Sequence, residues 1–197
     1  MKLLSPAISS LARLRLWRIE GWKNNPIEAQ REVLQDLVTS AQYTEFGRRY
    51  HFSELFSLRA FKEAVPIHEY EDLKPYISRI LEGEQQLLWN TPVHWFAKSS
   101  GTTDKSKFLP VSAESLDNCH YKAGMDMVTL YCSNYPETKL FKGKNLALGG
   151  SLKTHRSGSF TSLQGDVSAI IIQHLPFWAE YFRAPDRSIA LMNEWSE

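Results

Sequence analysis

The sequence changes from helical to extended patterning after Trp89, and this switch constrains the fold more than any other feature. Before it, Asn25 and Pro26 form a helix-start signal, because Asn caps helices and Pro fits the first helical position. After it, residues 93–97 are mostly β-branched and aromatic, which favours a strand. Helices combined with a few strands indicate a layered α/β fold, with α+β as the alternative.

Apolar residues at helical spacing predict four helices before the switch. These helices start near Leu4, at Asn25, after Leu58 and at Glu69. Gly47 is the predicted stop of the second helix, because glycine is favoured just past a helix end. Pro75 is expected to interrupt the fourth helix, which ends at Gly83, since proline lacks an amide hydrogen.

Beyond the switch, short extended pieces and helices alternate. Residues 108–111 are predicted to be extended, and Ser112 then caps a long helix. Its core-facing side is predicted to carry Leu116, Cys119, Ala123, Met127 and Leu130. A second strand is predicted at 145–148, a loop at 151–166, a short helix between Pro176 and Pro185, and a last helix, capped by Ser188, that continues to the chain end. Periodicity leaves residues 170–172 open between helix and strand.

Composition points to a soluble cytoplasmic protein. The net charge of +1 gives no electrostatic case for nucleic acid, and no apolar run is long enough to span a membrane. Cys119 and Cys132 lack zinc-site spacing and are interpreted as reduced, packed thiols. The basic residues before Lys23 suit either an amphipathic first helix, which we favour, or a transit peptide.

One loop carries a chemical signal. The nine residues from Ser99 to Lys107 hold five hydroxyl side chains, one glycine and two lysines. Hydroxyls, close-approaching backbone amides and lysine ammonium groups suit phosphate oxygens. The loop lacks the glycine spacing of a Walker A or GxGxxG motif, which argues against a kinase-like or other general phosphate-binding enzyme. Composition alone leaves a plain polar turn as the alternative.

A series of motifs around this loop carries a family resemblance. The Ser-Ser-Gly-Thr-Thr string and its closing Lys resemble the phosphate loop of adenylate-forming enzymes. Further similarity lies at residues 107–112, 116–122, 140–151, 165–169, 175–178 and 189–192. Together these motifs resemble the auxin-responsive (Gretchen Hagen type) family of acyl-acid amido synthetases, in its bacterial branch. The resemblance covers nearly the whole chain.

The resemblance implies a ligase that adenylates a carboxylic acid with ATP and Mg²⁺ and transfers the acyl group to an amine such as an amino acid. By this resemblance the triphosphate would be held by Ser99, Ser100, Gly101, Thr102 and Thr103. Lys107 would be the catalytic residue and contact the phosphates released as pyrophosphate. The implied fold is N-terminal helices packed on part of a mixed sheet, as in the N-terminal part of adenylate-forming enzymes.

The sequence also departs from the family pattern. The segment from Asp104 to Ser106 is one residue short, and Asp104 places negative charge beside the proposed phosphate site. The aromatic-x-x-Ser/Thr-Glu-Gly motif of the later part of the family's chains is not found in residues 1–197. We therefore expect one partial domain, truncated, without the C-terminal domain and inactive alone. The alternative is a non-catalytic remnant or weak nucleotide-binding module.

Other polar residues are interpreted as structural. The six histidines, at positions 51, 68, 94, 120, 155 and 174, show no metal-ligand spacing, so no metal site is predicted from side chains. The acids at 69, 71 and 72 suit a helix start, and Asp166 suits a turn or cap. Gly149 and Gly150 are interpreted as a turn after a strand rather than as a ligand contact. An incomplete domain should expose apolar surface, so self-association is expected.

Overall fold

The computed structural model describes residues 5–99 and 107–192, with side chains described from residue 12 onward. Backbone contacts divide the chain into two compact units. The first unit contains the residues before Ile67 together with Asp117–Thr138, and the second contains Ile67–Leu116 and the residues from Lys139 onward. The expectation of a single partial domain stays a prediction.

Ten α-helices and six strands lie within the described residues. The helices are α1 (Ser5–Asn24), α2 (Pro26–Ala41), α3 (Glu45–Arg49), α4 (Leu58–Ala64), α5 (Tyr70–Leu81), α6 (Ala113–Ser115), α7 (Lys122–Asn134), α8 (Val167–Gln173), α9 (Phe177–Tyr181) and α10 (Arg187–Ala190). The strands are β1 (Trp95–Lys98), β2 (Phe108–Val111), β3 (Asn145–Leu146), β4 (Leu152–Ser157), β5 (Phe160–Gly165) and β6 (Arg183–Ala184). Across these residues, no helix has both the length and the apolar character needed to cross a membrane.

The first unit is helical, and a tight turn connects α2 to α3. Thr44 is fully buried, donates its hydroxyl hydrogen to Ala41 O and accepts a hydrogen bond from Gly47 N. A Cβ at Gly47 would lie 2.1 Å from Ala41 O, so only glycine fits there. The prediction that Gly47 ends the second helix is therefore wrong. The helix ends at Ala41, and glycine serves close packing inside α3.

The predicted start of α2 is confirmed, although its cap works differently. Asn25 occupies the cap position and Pro26 the first helical position. The Asn25 side chain accepts no capping hydrogen bond; its amide instead donates to Gly21 O at 3.1 Å, at the end of α1. The residue therefore closes one helix while the next begins.

Helix α5 belongs to the second unit and runs without a break through Pro75, so the predicted interruption is wrong. Pro75 has no main-chain N–H, so the helix lacks one hydrogen bond there. The side chains of Ile77 and Ile80, on the same helix, are buried, and this burial offsets the missing hydrogen bond. The start has a capping box in which Asp72 Oδ2 accepts from Glu69 N at 2.8 Å. This explains the acidic residues there. Gly83 follows the helix with φ of 106°, a conformation that favours glycine.

The second unit is built on a four-stranded mixed sheet with the order β2-β1-β5-β4. Strand β1 pairs antiparallel with β2 and parallel with β5, while β4 and β5 form an antiparallel hairpin. Helix α8 packs against β1 and β5, and α5 packs against β2. Phe96, Ala169 and Ile170 are fully buried in this core. The predicted α/β class with helices packed on a mixed sheet is confirmed.

The hairpin of β4 and β5 overturns the predicted loop at 151–166. Its turn uses Gly158 at φ of 57°, and main-chain pairing runs from Leu152 with Gly165 to Ser157 with Phe160. The residues look loop-like because β4 is an edge strand whose central residues are exposed. Polar side chains suit such an edge, which must resist pairing with other chains.

The helix predicted after Ser112 is interrupted by a different geometry. Ser112 caps α6 as predicted, accepting from Ser115 N at 3.1 Å. A π-helical turn then spans Leu116–Tyr121 before α7 begins. A π-helical turn contains more residues than an α-helical turn, so it changes the helical phase of the residues that follow. The predicted apolar positions therefore do not share one helix face. Leu116 is buried, whereas Cys119 and Met127 are exposed, so the prediction of a packed Cys119 thiol is wrong.

The last described segments differ from the prediction mainly at their ends. The predicted strand at 145–148 is shorter, and it pairs as β3 with β6 in a parallel two-stranded sheet. Residues 170–172 lie within α8, and the predicted short aromatic helix is α9. Helix α10 has Asp186 rather than Ser188 at its cap position. It ends at Ala190, so the prediction of a helix that continues to the chain end is wrong. Residues 193–197 lie outside the described part.

A buried arginine joins α9 to β6 in the second unit. Arg183 is 6% exposed, and its Nε donates to Glu180 Oε2 at 2.9 Å. Its Nη2 also pairs with the other carboxylate oxygen, and its Nη1 donates to Pro185 O. Arg187 lies 3.6 Å from the same carboxylate. A buried guanidinium is tolerated because the carboxylate compensates its charge.

We predict that Glu180→Ala lowers the free energy of unfolding by about 2 kcal/mol. The change leaves the Arg183 charge buried without its carboxylate, and partial solvent access to Glu180 moderates the loss. The control is Glu28→Ala, which breaks an exposed Glu–Arg pair of the same spacing with Arg31. It should change stability by less than about 0.5 kcal/mol. Equal losses in urea melts of the two variants would contradict this account.

The same contact predicts an acid-dependent stability. Hydrogen bonds from Arg183, helped by its charge and that of Arg187, lower the pKa of Glu180. A lowered folded-state pKa adds stability above the ordinary carboxyl value of about 4.3, and this is lost as pH falls through the folded value. Urea midpoints from pH 7 to pH 3 should therefore show a difference between parent and Glu180→Gln that shrinks below about pH 4. A difference that stays constant would contradict the assignment.

Candidate active site

The predicted phosphate loop connects β1 to β2, and its two ends meet. Lys98 pairs with Phe108 across the antiparallel strands, and Ser99 N donates to Lys107 O at 2.9 Å. The first and last residues of the predicted loop are therefore held together at the base of a hairpin. Residues 100–106, which include the predicted site residues Ser100, Gly101, Thr102 and Thr103, lie outside the described part.

A tyrosine that sequence reasoning missed lies at this hairpin base. The Tyr70 hydroxyl oxygen accepts from Phe108 N at 3.0 Å, and the hydroxyl lies 3.3 Å from Phe108 O as a donor. The Lys107 ammonium lies 5.0 Å from the centre of the Tyr70 ring, within cation–π range. No sequence signal links the residues, because Tyr70 and Phe108 are 38 positions apart. Their proximity depends on α5 packing against β2.

The described ends of the loop offer a cation and a hydroxyl to an anion. Lys107 is exposed, and Ser99 is partly buried. The Ser99 main-chain amide already donates to Lys107 O in closing the hairpin, so any donation from Ser99 to a ligand would come from its hydroxyl. Phosphate oxygens accept hydrogen bonds from ammonium and hydroxyl groups, and this end of the hairpin carries one of each.

The parallel pairing of β1 with β5 brings two strand ends to one edge of the sheet. Ala97 pairs with Gly165, so the loop after β1 and the turn after β5 leave the sheet side by side. Ligands of open α/β sheets bind outside the carboxyl ends of parallel strands. The predicted loop therefore leaves the sheet at the edge where such ligands bind.

Asp166 and the glycines near it serve the protein's own backbone at this edge. Asp166 occupies the cap position of α8, and its Oδ2 accepts from Ser151 N at 3.0 Å. A Cβ at Gly150 would lie 1.8 Å from the same oxygen. The close approach of Gly150 is thus to Asp166, and the predicted turn at Gly149–Gly150 is instead irregular chain between β3 and β4.

Of the two aromatic residues before the loop, Phe96 belongs to the core and Trp95 is half-buried. Phe96 is fully buried, and the Trp95 ring lies 4.1 Å, centre to centre, from that of His174 at the end of α8. Burial lowers the pKa of His174, and the positive charge of Arg187 lowers it further. Both effects disfavour a charged imidazole at His174. Among the described residues, no three His, Cys, Asp or Glu side chains come together as a metal site.

Comparison with known proteins identifies the family. A sequence profile described as the GH3 family N-terminal domain matches residues 15–197. The chain belongs to the GH3 family. Indole-3-acetic acid-amido synthetase GH3.2 of Arabidopsis thaliana is 35% identical to this GH3 chain over 132 residues, which are 65% of the chain and 23% of the relative. The 4-substituted benzoates-glutamate ligase GH3.12 of the same plant is 31% identical over 126 residues, 62% and 22% of the two proteins.

A solved structure agrees with the fold of this GH3 chain. The acyl acid amido synthetase GH3.15 superposes with a TM-score of 0.71 at 21% identity, covering 91% of this chain and 31% of that structure. The chain therefore spans less than a third of the length of these relatives. Both relatives named above are plant proteins, so the bacterial branch stays a prediction.

We predict that Gly165→Ala, at the carboxyl end of β5, lowers the free energy of unfolding by about 2 kcal/mol. The added Cβ would lie 2.0 Å from Ser151 O, and main chain cannot yield as a side-chain tip does. Gly124→Ala in α7 is the control, because nothing lies within 4 Å of its Cβ. It should stabilise by up to about 1 kcal/mol. A Gly165→Ala variant that melts like the parent would contradict this packing.

Proposed function

We propose that this GH3 chain carries the phosphate-binding loop of an ATP-dependent acyl-acid amido synthetase. In this reaction a carboxylic acid is adenylated by ATP, and its acyl group passes to an amine such as an amino acid. Family membership supports the proposal, because the named relatives are amido synthetases or an acid–glutamate ligase. The proposed activity is that of a whole amido synthetase, of which this chain corresponds to less than a third.

The closed hairpin base between Ser99 and Lys107 is the observation that carries the proposal. It brings a hydroxyl and an ammonium to the carboxyl-end edge of the sheet. Lysine suits this role, since it binds phosphate as a compact point charge. The remaining proposed phosphate ligands are Ser100, Gly101, Thr102 and Thr103.

Within this proposal the protein's contribution to adenylation is electrostatic. Lys107 would stabilise negative charge on the phosphates that leave as pyrophosphate, and the hydroxyls would orient the chain of phosphates for attack by the acid. Mg²⁺ would neutralise phosphate charge when bound. Its ligands would be mainly the substrate phosphates and waters, because the Lys107 ammonium cannot bind a cation.

The proposed partners are a small carboxylic acid and an amine. The names of the relatives mention indole-3-acetic acid, and 4-substituted benzoates with glutamate, and one GH3.15 structure is a complex with 2,4-DB. These compounds are named for the relatives. By analogy, they support a small organic acid as the substrate class of this chain. A cytoplasmic location, membership of a bacterial branch and self-association through exposed apolar surface remain proposals alongside it.

Calorimetric titration of Mg-ATP into the chain tests the proposal. We expect the parent to bind, and the Ser99→Ala/Lys107→Ala variant to bind at least about tenfold more weakly, since charge-assisted hydrogen bonds are lost. Lys153→Ala is the matched control, because it removes an exposed lysine from β4 of the same sheet. It should bind like the parent.

Equal affinity in the parent and the double variant would contradict the assigned loop. No binding by the parent would contradict the proposal that this chain's loop binds ATP, and would favour a non-catalytic remnant.

A further inference from the structure

We infer that Tyr70 is a positioning residue for Lys107, holding the loop's closing lysine in place for phosphate. The inference rests on the proposed function, because it assigns Tyr70 a part in the same site. Tyr70 is not expected to touch the substrate; it acts through Lys107 and through the main chain of Phe108. Three contacts carry the inference, two from its hydroxyl and one from its ring.

The backbone of Tyr70 is held at the start of α5. Tyr70 is the first residue of that helix, directly after the cap residue Glu69. Asp72 accepts from Glu69 N at 2.8 Å and completes the capping box. Farther along the helix, Ile77 and Ile80 are buried and anchor it. The tyrosine thus projects from a rigid element, which is what a positioning residue needs.

The hydroxyl of Tyr70 fixes the residue after Lys107. It accepts from Phe108 N at 3.0 Å and lies 3.3 Å from Phe108 O as a donor. Phe108 also pairs with Lys98 in the strand ladder. The main chain just after Lys107 is therefore fixed by contacts with the sheet and with α5. On its other side, Lys107 O accepts from Ser99 N.

The ring of Tyr70 restrains the Lys107 side chain. The ammonium lies 5.0 Å from the ring centre, where the negative face of the ring attracts it. A free lysine side chain samples many rotamers, and ordering it on binding costs affinity. A cation–π contact is weak enough for a phosphate to compete with it, yet it confines the ammonium to the loop's end before the phosphate arrives.

A binding cycle tests whether Tyr70 acts through Lys107. Mg-ATP affinity is measured for the parent, Tyr70→Phe, Tyr70→Leu, Lys107→Ala and Tyr70→Leu/Lys107→Ala. We expect Tyr70→Leu to weaken binding about fivefold to tenfold, and Tyr70→Phe, which keeps the ring, about twofold to threefold. In the Lys107→Ala background, Tyr70→Leu should change affinity less than about twofold, because the two residues are coupled. A full Tyr70→Leu effect in that background would overturn the inference and leave Tyr70 a merely structural role.

A spectroscopic readout separates this inference from the proposed function. The Lys107 ε-methylene signals of ¹³C-labelled protein, assigned by their loss in Lys107→Ala, should be shifted upfield by the Tyr70 ring. They should keep that shift in Tyr70→Phe and lose it in Tyr70→Leu. Unchanged signals in Tyr70→Leu would overturn the inference whether or not ATP binds. If the parent does not bind ATP but the signals respond as expected, the proposed function fails and the restraint of Lys107 by Tyr70 stands.

Discussion

The arrangement of the second unit depends on main-chain pairing along both sides of β1. One side pairs antiparallel with β2, and the other pairs parallel with β5. Phe96 at the centre of the strand is fully buried, and α8 packs across β1 and β5. A strand paired on both sides has no free main-chain groups to leave unsatisfied in the core. The end of β1 is consequently a rigid point from which a loop can start.

From that point the candidate site follows in steps. The antiparallel partner returns the chain to Lys107 beside Ser99, and the parallel partner brings the turn at Gly165 and Asp166 to the same edge. Helix α5 then brings Tyr70 to the hairpin base. Ser99 and Lys107 are the two ends of one loop motif, whereas the contacts of β1 with β5 and of Tyr70 with Phe108 join residues far apart in sequence. The site therefore depends on sheet order and helix packing as well as on the motif.

Much of this could be predicted from local sequence. The β-branched and aromatic residues near Trp95, the capping signals at Pro26 and the hydroxyl-rich loop each carry their information within a few neighbouring positions. The hairpin at 151–166 could not be predicted, because an exposed edge strand has the polar composition of a loop. The unbroken helix through Pro75 and the contact of Tyr70 with the loop depend on tertiary packing, which overrides local preference.

The most direct test of the central claim, that phosphate binds where β1 and β2 meet, is amide chemical-shift mapping of the ¹⁵N-labelled chain as Mg-ATP is added. The account predicts that the largest shifts fall on residues 99–107, with Phe108 and Tyr70 next. It also predicts little change in β4, which β5 separates from β1 and β2 in the sheet. Shifts centred elsewhere, or the absence of any shift at ATP concentrations that saturate related sites, would contradict the account.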